Sequence, residues 1–228
     1  MNLHDDVRSL MSVKPNAYWW QKVHHAFGHM IYYQTYSTQE TPKFLRGGTN
    51  RGYHKAMGDL IGLASIQLYY LKSQGILPST IQENTNQRML KEALNYVVRI
   101  PWAAGVLTHF EKDLYADNLD SNQMNKDYWN LVKKYQGIVP PSPREEEYCN
   151  AASKTHIIDG PAQNYDYAIS NYLLMQMHIH ITHKILYQRP HVTNYFNSKK
   201  QVIFREASCA GDNPVTGGRY SKKVQVIS

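Results

Sequence analysis

Apolar positions along the chain recur at helical rather than strand spacing. Over residues 16–35, Val23, Phe27, Met30 and Ile31 fall three or four apart, which predicts one helix with those side chains on its packing face. Residues 38–52 carry Pro42, Gly47 and Gly48 and read as a loop. A second helix is expected over 53–71, where Met57, Leu60, Leu63, Ala64 and Leu68 form an apolar stripe that stops before Gly75. A longer pattern covers 86–115, with Pro101 placed to kink or split it. A short helix over 126–135 runs into the stretch 136–143, whose three prolines exclude a helix. The last long pattern covers 168–187 and ends before Pro190.

Beyond about residue 197 the periodicity dissolves, and Asn213-Pro214 and Gly217-Gly218 are turn material. No internal repeat is present and little reads as strand. The expected fold class is all-α. Residues 1–200 are expected to form one helical domain and 201–228 a basic, flexible tail.

Composition narrows this picture. A chain of 228 residues with 42% hydrophobic and 19% charged residues is long and apolar enough for a packed core. The net charge of +7 raises the question of an anionic partner. The basic residues are scattered, however, with Lys133-Lys134, Lys199-Lys200 and Lys222-Lys223 as the densest pairs, and no nucleic-acid signature accompanies them. No nucleic-acid partner is expected. Cys149 and Cys209 could pair or both stay free. The first residues lack the basic and apolar regions of a signal peptide, and no apolar run approaches the roughly 20 residues needed to span a bilayer. No Asn-x-Ser/Thr sequon is present either.

Candidate chemistry concentrates in His24-His25-Ala26-Phe27-Gly28-His29. His25 and His29 are four apart, so on a helix they share a face and can grip one metal, as in a His-Glu-x-x-His zinc-peptidase helix. In that helix the glutamate after the first histidine is the general base. Here that position holds Ala26. Spacing alone suits two ordinary helix residues bonded to a carbonyl or a tyrosine better than a metal site. His178, His180 and His183 could make a second metal cluster, although they point in different directions around a helix and suit a polar helix face better.

Longer stretches carry a family likeness. Val23-His24-His25 with Gly28-His29, Tyr32-Tyr33 and Tyr36 resembles the metal helix of angiotensin-converting-enzyme-type dipeptidyl carboxypeptidases, zinc metallopeptidase family M2. Arg46-Gly47-Gly48-Thr49-Asn50-Arg51-Gly52-Tyr53-His54 resembles the family's next segment. Trp129, Lys134-Tyr135-Gln136-Gly137 and Pro140-Pro141 with Pro143-Arg144 match a later one, and Lys154 with His156-Ile157 and Gln176 with His178 match two more. The ordered matches run over about residues 5–200.

The resemblance implies a mostly helical, two-lobed, zincin-like domain of which this chain is a part. It implies His25 and His29 as remnants of zinc ligands and Asp59 as the carboxylate supporting one of them. The third ligand, a glutamate, is replaced by Lys55, and the base by Ala26. Lys154, His156 and Tyr167 match residues that hold the substrate's C-terminal end or its oxyanion. A neighbouring tyrosine has become Asn164 or moved to Tyr165. Arg144 matches a chloride-side arginine, and the other chloride arginine falls at Asp166. Two family cysteines are replaced by Thr182 and a residue near Asn194.

With the base and one ligand gone, the chain resembles the catalytically inactive, nematode-type branch. A non-catalytic binding or developmental role is expected, with no functional metal and a peptide or protein ligand. The alternative is a residual zinc dipeptidyl carboxypeptidase using a displaced carboxylate, Asp59 or Glu40. The family's domain is far longer, so a fragment is expected, its full-length parent extracellular or membrane-associated and the rest of the domain its missing partner.

Overall fold

The computed structural model describes residues 6–37, 41–47 and 50–196. The expected tail at 201–228, Cys209 and Glu40 lie outside these residues. The chain divides into two compact units, Met1–Met89 with Tyr172–Ser228 and Leu90–Asn171. Among the described residues the architecture is all helical, and the only extended pairing is an isolated bridge between Arg189 and Val192.

The first unit is built on α1 (Ala17–Tyr36) and α2 (Arg51–Ser65). Each starts on an asparagine whose side chain caps the helix: Asn16 accepts from the Trp19 N–H at 3.0 Å and Asn50 from the Tyr53 N–H at 2.8 Å. The stripe expected on α2 is its buried face, with Met57, Leu60, Leu63 and Ala64 at 1% exposure or less.

On α1 the packing face differs from the expected one. Phe27 is 44% exposed, whereas Gly28, Tyr32 and Tyr36 are buried. The cause is the close approach of the two helices. A Cβ on Gly28 would lie 2.9 Å from both Gly58 Cα and Met57 O. Only a glycine face can come this near, so α1 turns its glycine, histidine and tyrosine side inward. The helices run antiparallel, since Gly28 meets Gly58 while the earlier Gln21 and His25 meet Gly62.

The helix expected over 53–71 is two helices. α2 ends at Ser65 and α3 covers Leu68–Ser73. Side chains intercept the carbonyls that a continuous helix would use. Ser65 Oγ donates to Gly62 O at 2.7 Å, the Trp20 indole N–H donates to Ser65 O at 2.9 Å, and Gln67 Nε2 donates to Leu63 O at 3.2 Å.

α4 (Thr85–Val97) leads into the second unit. The pattern breaks just ahead of Pro101, as expected: α4 ends at Val97 and Val98 is a turn. Pro101 then opens a π-helical turn, Pro101–Leu107, that continues directly into α5 (Thr108–Tyr115). Proline cannot close the ordinary ladder, and the wider turn absorbs the mismatch. Thr108 Oγ1 and His109 Nδ1 donate to the carbonyls of Ala103 and Gly105, at 2.9 and 2.8 Å.

α6 (Met124–Gln136) ends on Gly137 in the left-handed region, φ 69°. Its N-terminus is capped from a distance, since the Glu146 carboxylate accepts from the N–H groups of Asn125 and Lys126 at 2.7 and 3.0 Å. Val106, Leu107, Phe110, Tyr128, Leu131, Val132, Ala151 and Ile157 form this unit's core. The short α7 (Thr155–Asp159) follows, and α8 (Asp166–His180) leads back to the first unit. A second π-helical turn, Ile181–Leu186, prolongs α8 to nearly the expected end.

Candidate functional site

The facing sides of α1 and α2 bring His25, His29, His54, Lys55 and Asp59 together. His25 Nδ1 lies 2.9 Å from Asp59 Oδ1. His25 Nε2 lies 2.9 Å from His29 Nε2 and 3.4 Å from Lys55 Nζ. Lys55 Nζ is also 4.0 Å from Asp59 Oδ1. The His54 ring stacks on that of His29, with centroids 4.5 Å apart and planes 13° apart. Tyr32 and Tyr33 meet His54 edge-on, each at 4.8 Å. Gly58 makes room for the cluster, because a Cβ there would fall 2.7 Å from the His29 ring.

These distances fix the tautomers. The Asp59 carboxylate can only accept, so His25 Nδ1 carries the proton. Burial lowers the His25 pKa, Asp59 partly opposes it, and the Lys55 charge lowers it further. Burial and the neighbouring His25 and His54 hold His29 down at about 3. Burial, helped by His25 and Lys55, holds His54 at about 4. All three rings are neutral at pH 7. His25 Nε2 therefore accepts, and both the His29 Nε2–H and the Lys55 ammonium donate to it. His29 is left with its lone pair on Nδ1, which is buried and without a hydrogen-bond partner among the described residues. His54 Nε2 is likewise buried without one.

A linear network follows, from Asp59 carboxylate to His25 to His29, with the lysine ammonium beside the shared nitrogen. Ala26, half-buried, follows His25 on the same helix. Among the described residues no group of three or more His, Cys, Asp or Glu side chains converges as a metal centre.

The second unit holds the other predicted residues. His156 on α7 and Tyr167 on α8 pack against each other, with ring centroids 5.9 Å apart. Trp102, from the π-helical turn, joins both, at 5.1 Å from His156 and 6.2 Å from Tyr167. Lys154 precedes α7 and is half-buried. Asn164 is 2% exposed and turned inward, its Nδ2 donating to Glu111 Oε2 at 2.9 Å, while Tyr165 is 47% exposed. Asp166 opens α8. Arg144 lies over the Tyr148 ring, 4.6 Å from its centroid. Cys149 is a free, exposed thiol.

The histidines of α8 do not form a cluster. His178 is buried, Nδ1 bonded to the Tyr195 hydroxyl and Nε2 to Pro190 O at 2.8 Å, while His183 is exposed. Thr182 Oγ1 donates to His178 O at 2.9 Å.

The partners of these residues were not foreseen from sequence. The His54 stack, Trp102 and Glu111 are reached by contacts across long separations, and only His54, lying inside the Gly-Tyr-His segment, carried a sequence signal.

Comparison with known proteins bears on this arrangement of histidines and tyrosines. A family model described as angiotensin-converting enzyme, peptidase M2, matches residues 1–202. The chain belongs to the angiotensin-converting-enzyme family. An angiotensin-converting enzyme-related protein of Drosophila melanogaster is 29% identical over 175 residues, 76% of this chain and 27% of that protein. An angiotensin-converting enzyme of Theromyzon tessulatum is 27% identical over 198 residues, 86% of this chain and 32% of the relative. One of Haematobia irritans exigua is 32% identical over 158 residues, 68% and 25% of the two chains. The chain thus spans about a quarter to a third of the angiotensin-converting-enzyme relatives it matches. No helix among its described residues is long and apolar enough to cross a membrane.

Proposed function

We propose that this chain is a non-catalytic member of the angiotensin-converting-enzyme family that keeps a peptide-binding face and has lost zinc-peptidase chemistry. The observation that carries the reading is the Lys55 ammonium 3.4 Å from His25 Nε2. That nitrogen is the atom a metal would need, and two N–H donors already occupy its lone pair. An ammonium has no lone pair to offer. At about 4 Å and an effective dielectric constant near 20, it repels a divalent cation by roughly 8 kcal/mol. Lys55 could serve a metal only after losing its proton. The donor set of two imidazoles and an ammonium does not fit a catalytic zinc, which takes three protein ligands and a water.

The second support is Ala26. A methyl group takes no proton, and a missing general base lowers the rate by about a hundredfold to ten-thousandfold. The peptide-binding half of the reading rests on Lys154, His156 and Tyr167, whose aromatic members pack together with Trp102. Lys154 is a half-buried cation just ahead of α7, and a cation suits a carboxylate-terminated peptide. By family likeness we place the parent protein outside the cell or at its membrane, with the remainder of the domain as the partner of these helices.

The test is metal content together with peptide turnover. Purified full chain dialysed against zinc is expected to hold no stoichiometric metal and to release no dipeptide. One tightly held zinc per chain would sink the reading in favour of a residual dipeptidyl carboxypeptidase. That alternative draws on Asp59, which already faces His25, though from the Nδ1 side. An Ala26→Glu/Lys55→Glu double variant that binds zinc and cleaves would show those two losses to be sufficient.

A further inference from the structure

We propose that Glu111 is a positioning residue whose carboxylate clamps the turn between α7 and α8 and so sets Tyr167 against His156. Glu111 lies on α5 and is 2% exposed. Its Oε1 accepts from the Ala162 N–H at 2.8 Å and its Oε2 from Asn164 Nδ2 at 2.9 Å. Among the described residues no lysine or arginine pairs with it, and the adjacent Lys112 engages Asp113 and Asp117 instead.

A buried carboxylate without a cation is a costly way to fill space, because an apolar side chain of similar size would avoid its desolvation. What a carboxylate offers is two oxygens that can take converging N–H donors at once. The turn it holds needs such support. Ala162 sits at φ 56°, in the left-handed region that a residue with a Cβ rarely adopts. Its N–H points at Glu111 in that conformation.

The link to the ring pair is short. Asn164, held through its side chain, uses its own carbonyl to accept from the Tyr167 N–H at 3.2 Å. Glu111 therefore fixes the first turn of α8, and with it the Tyr167 ring. On the other side, α5 is continuous with the π-helical turn that carries Trp102. One helix thus places Trp102 through its backbone and Tyr167 through its buried acid, with His156 packed against both. The inward turn of Asn164 also removes that side chain from any ligand and leaves Tyr165 as the exposed ring of the segment.

The clamp concerns ring placement and holds whether or not a peptide binds; only its consequence for affinity rests on the peptide-binding reading. In the wild-type full chain, the Ala162 amide is expected to exchange its hydrogen slowly although the residue itself is exposed. Exchange at the rate of an open turn would overturn the proposal without any variant.

Glu111→Ala and Asn164→Ala are expected to lose the ring-current shifts of the His156 and Tyr167 side-chain resonances, while those of Tyr32 and His178 in the other unit stay put. Glu111→Gln is expected to keep them, since the Gln carbonyl can hold Ala162 and Asn164 can present its oxygen to the Gln amide. Should Glu111→Ala not fold, Asn164→Ala decides, because it leaves the acid on Ala162. If the folded variants keep wild-type His156 and Tyr167 shifts, Glu111 only fills the core.

A free-acid dipeptide and its C-terminal amide are the probes for affinity. Weaker free-acid binding in Asn164→Ala supports the consequence. Failure of wild type to bind either probe removes the peptide-binding reading and leaves the ring shifts to judge the clamp.

Discussion

Replacing Gly28 by alanine tests whether the close crossing of α1 and α2 is what builds the histidine network. The new Cβ would sit 2.9 Å from Gly58 Cα, 2.9 Å from Met57 O and 3.2 Å from Ile61 Cβ. The two nearest atoms are backbone in the middle of α2 and cannot swing aside, so the helices must part. Overpacking of this kind costs about 1–3 kcal/mol. Parting the helices also stretches the His25–Asp59 bond, now 2.9 Å, and a hydrogen bond to a charged group is worth about 1.5–3 kcal/mol. The better helix propensity of alanine returns up to about 1 kcal/mol. The net expectation is a loss of about 2–4 kcal/mol, which in a chain of this size lowers the melting temperature by roughly 5–15 °C.

Gly62→Ala is the internal control. Its Cβ would meet Gln21 O and His25 Cβ at 3.4 Å, an ordinary contact, so the propensity gain of up to about 1 kcal/mol should survive. Thermal melts followed by circular dichroism, with urea titrations alongside, read both changes. A Gly28→Ala protein melting at or above wild type would refute the packing argument, as would equal losses at the two positions.

Three further outcomes are expected. Burial holds His178 at about 4 against 6.5 in the open chain, so the unfolded state binds its proton first as pH falls. The stability it lends is complete above pH 6.5 and is lost as pH falls through about 4, a change of about 3 kcal/mol. His178→Gln, which can still meet Tyr195 and Pro190, should flatten the urea-midpoint profile over that window, and an unchanged slope would contradict the assignment. Asn16→Ala removes the cap on Trp19 N–H and should cost about 1 kcal/mol in chemical denaturation. Lys55→Glu should make the melting temperature rise with added zinc, by the equivalent of about 2.7 kcal/mol at a hundredfold excess over Kd, while wild type shows no rise. A zinc-independent melt in that variant would mean that more than the ammonium keeps metal away.

The parts of this molecule legible in the sequence are those set by local pattern. The α2 stripe from Met57 to Ala64 and the extent of α1 follow from apolar spacing alone. So does the convergence of His25 and His29, four apart on one helix. The face that α1 buries did not, because apolar periodicity favoured Phe27 whereas the decisive term is the backbone approach that Gly28 allows. The break between α2 and α3 also escaped, since Ser65 and Gln67 end α2 through side-chain bonds that rank below hydrophobicity in any window. Glu111 and Asn164 meet across 53 positions, and no local rule encodes such a pair. The turn between α7 and α8 is where the family likeness was ambiguous by one residue, and there the fold distinguishes the buried Asn164 from the exposed Tyr165.

The π-helical turn at Pro101–Leu107 gives this region an unusual tolerance and an unusual weakness at once. Such a turn is an α-helix holding one residue too many. Deleting a single residue inside it would restore an ordinary helix, so the backbone itself would accept the loss. Everything downstream would then rotate by about 100° relative to the residues before it. With the gap placed after Trp102, that ring would swing away from His156 and Tyr167 while every codon after the gap still read correctly. A gene copy with that in-frame deletion would encode a helical chain with nearly the same composition and a scrambled ring cluster. In this segment the count of residues, more than their identity, is what an alignment of further copies should find held constant.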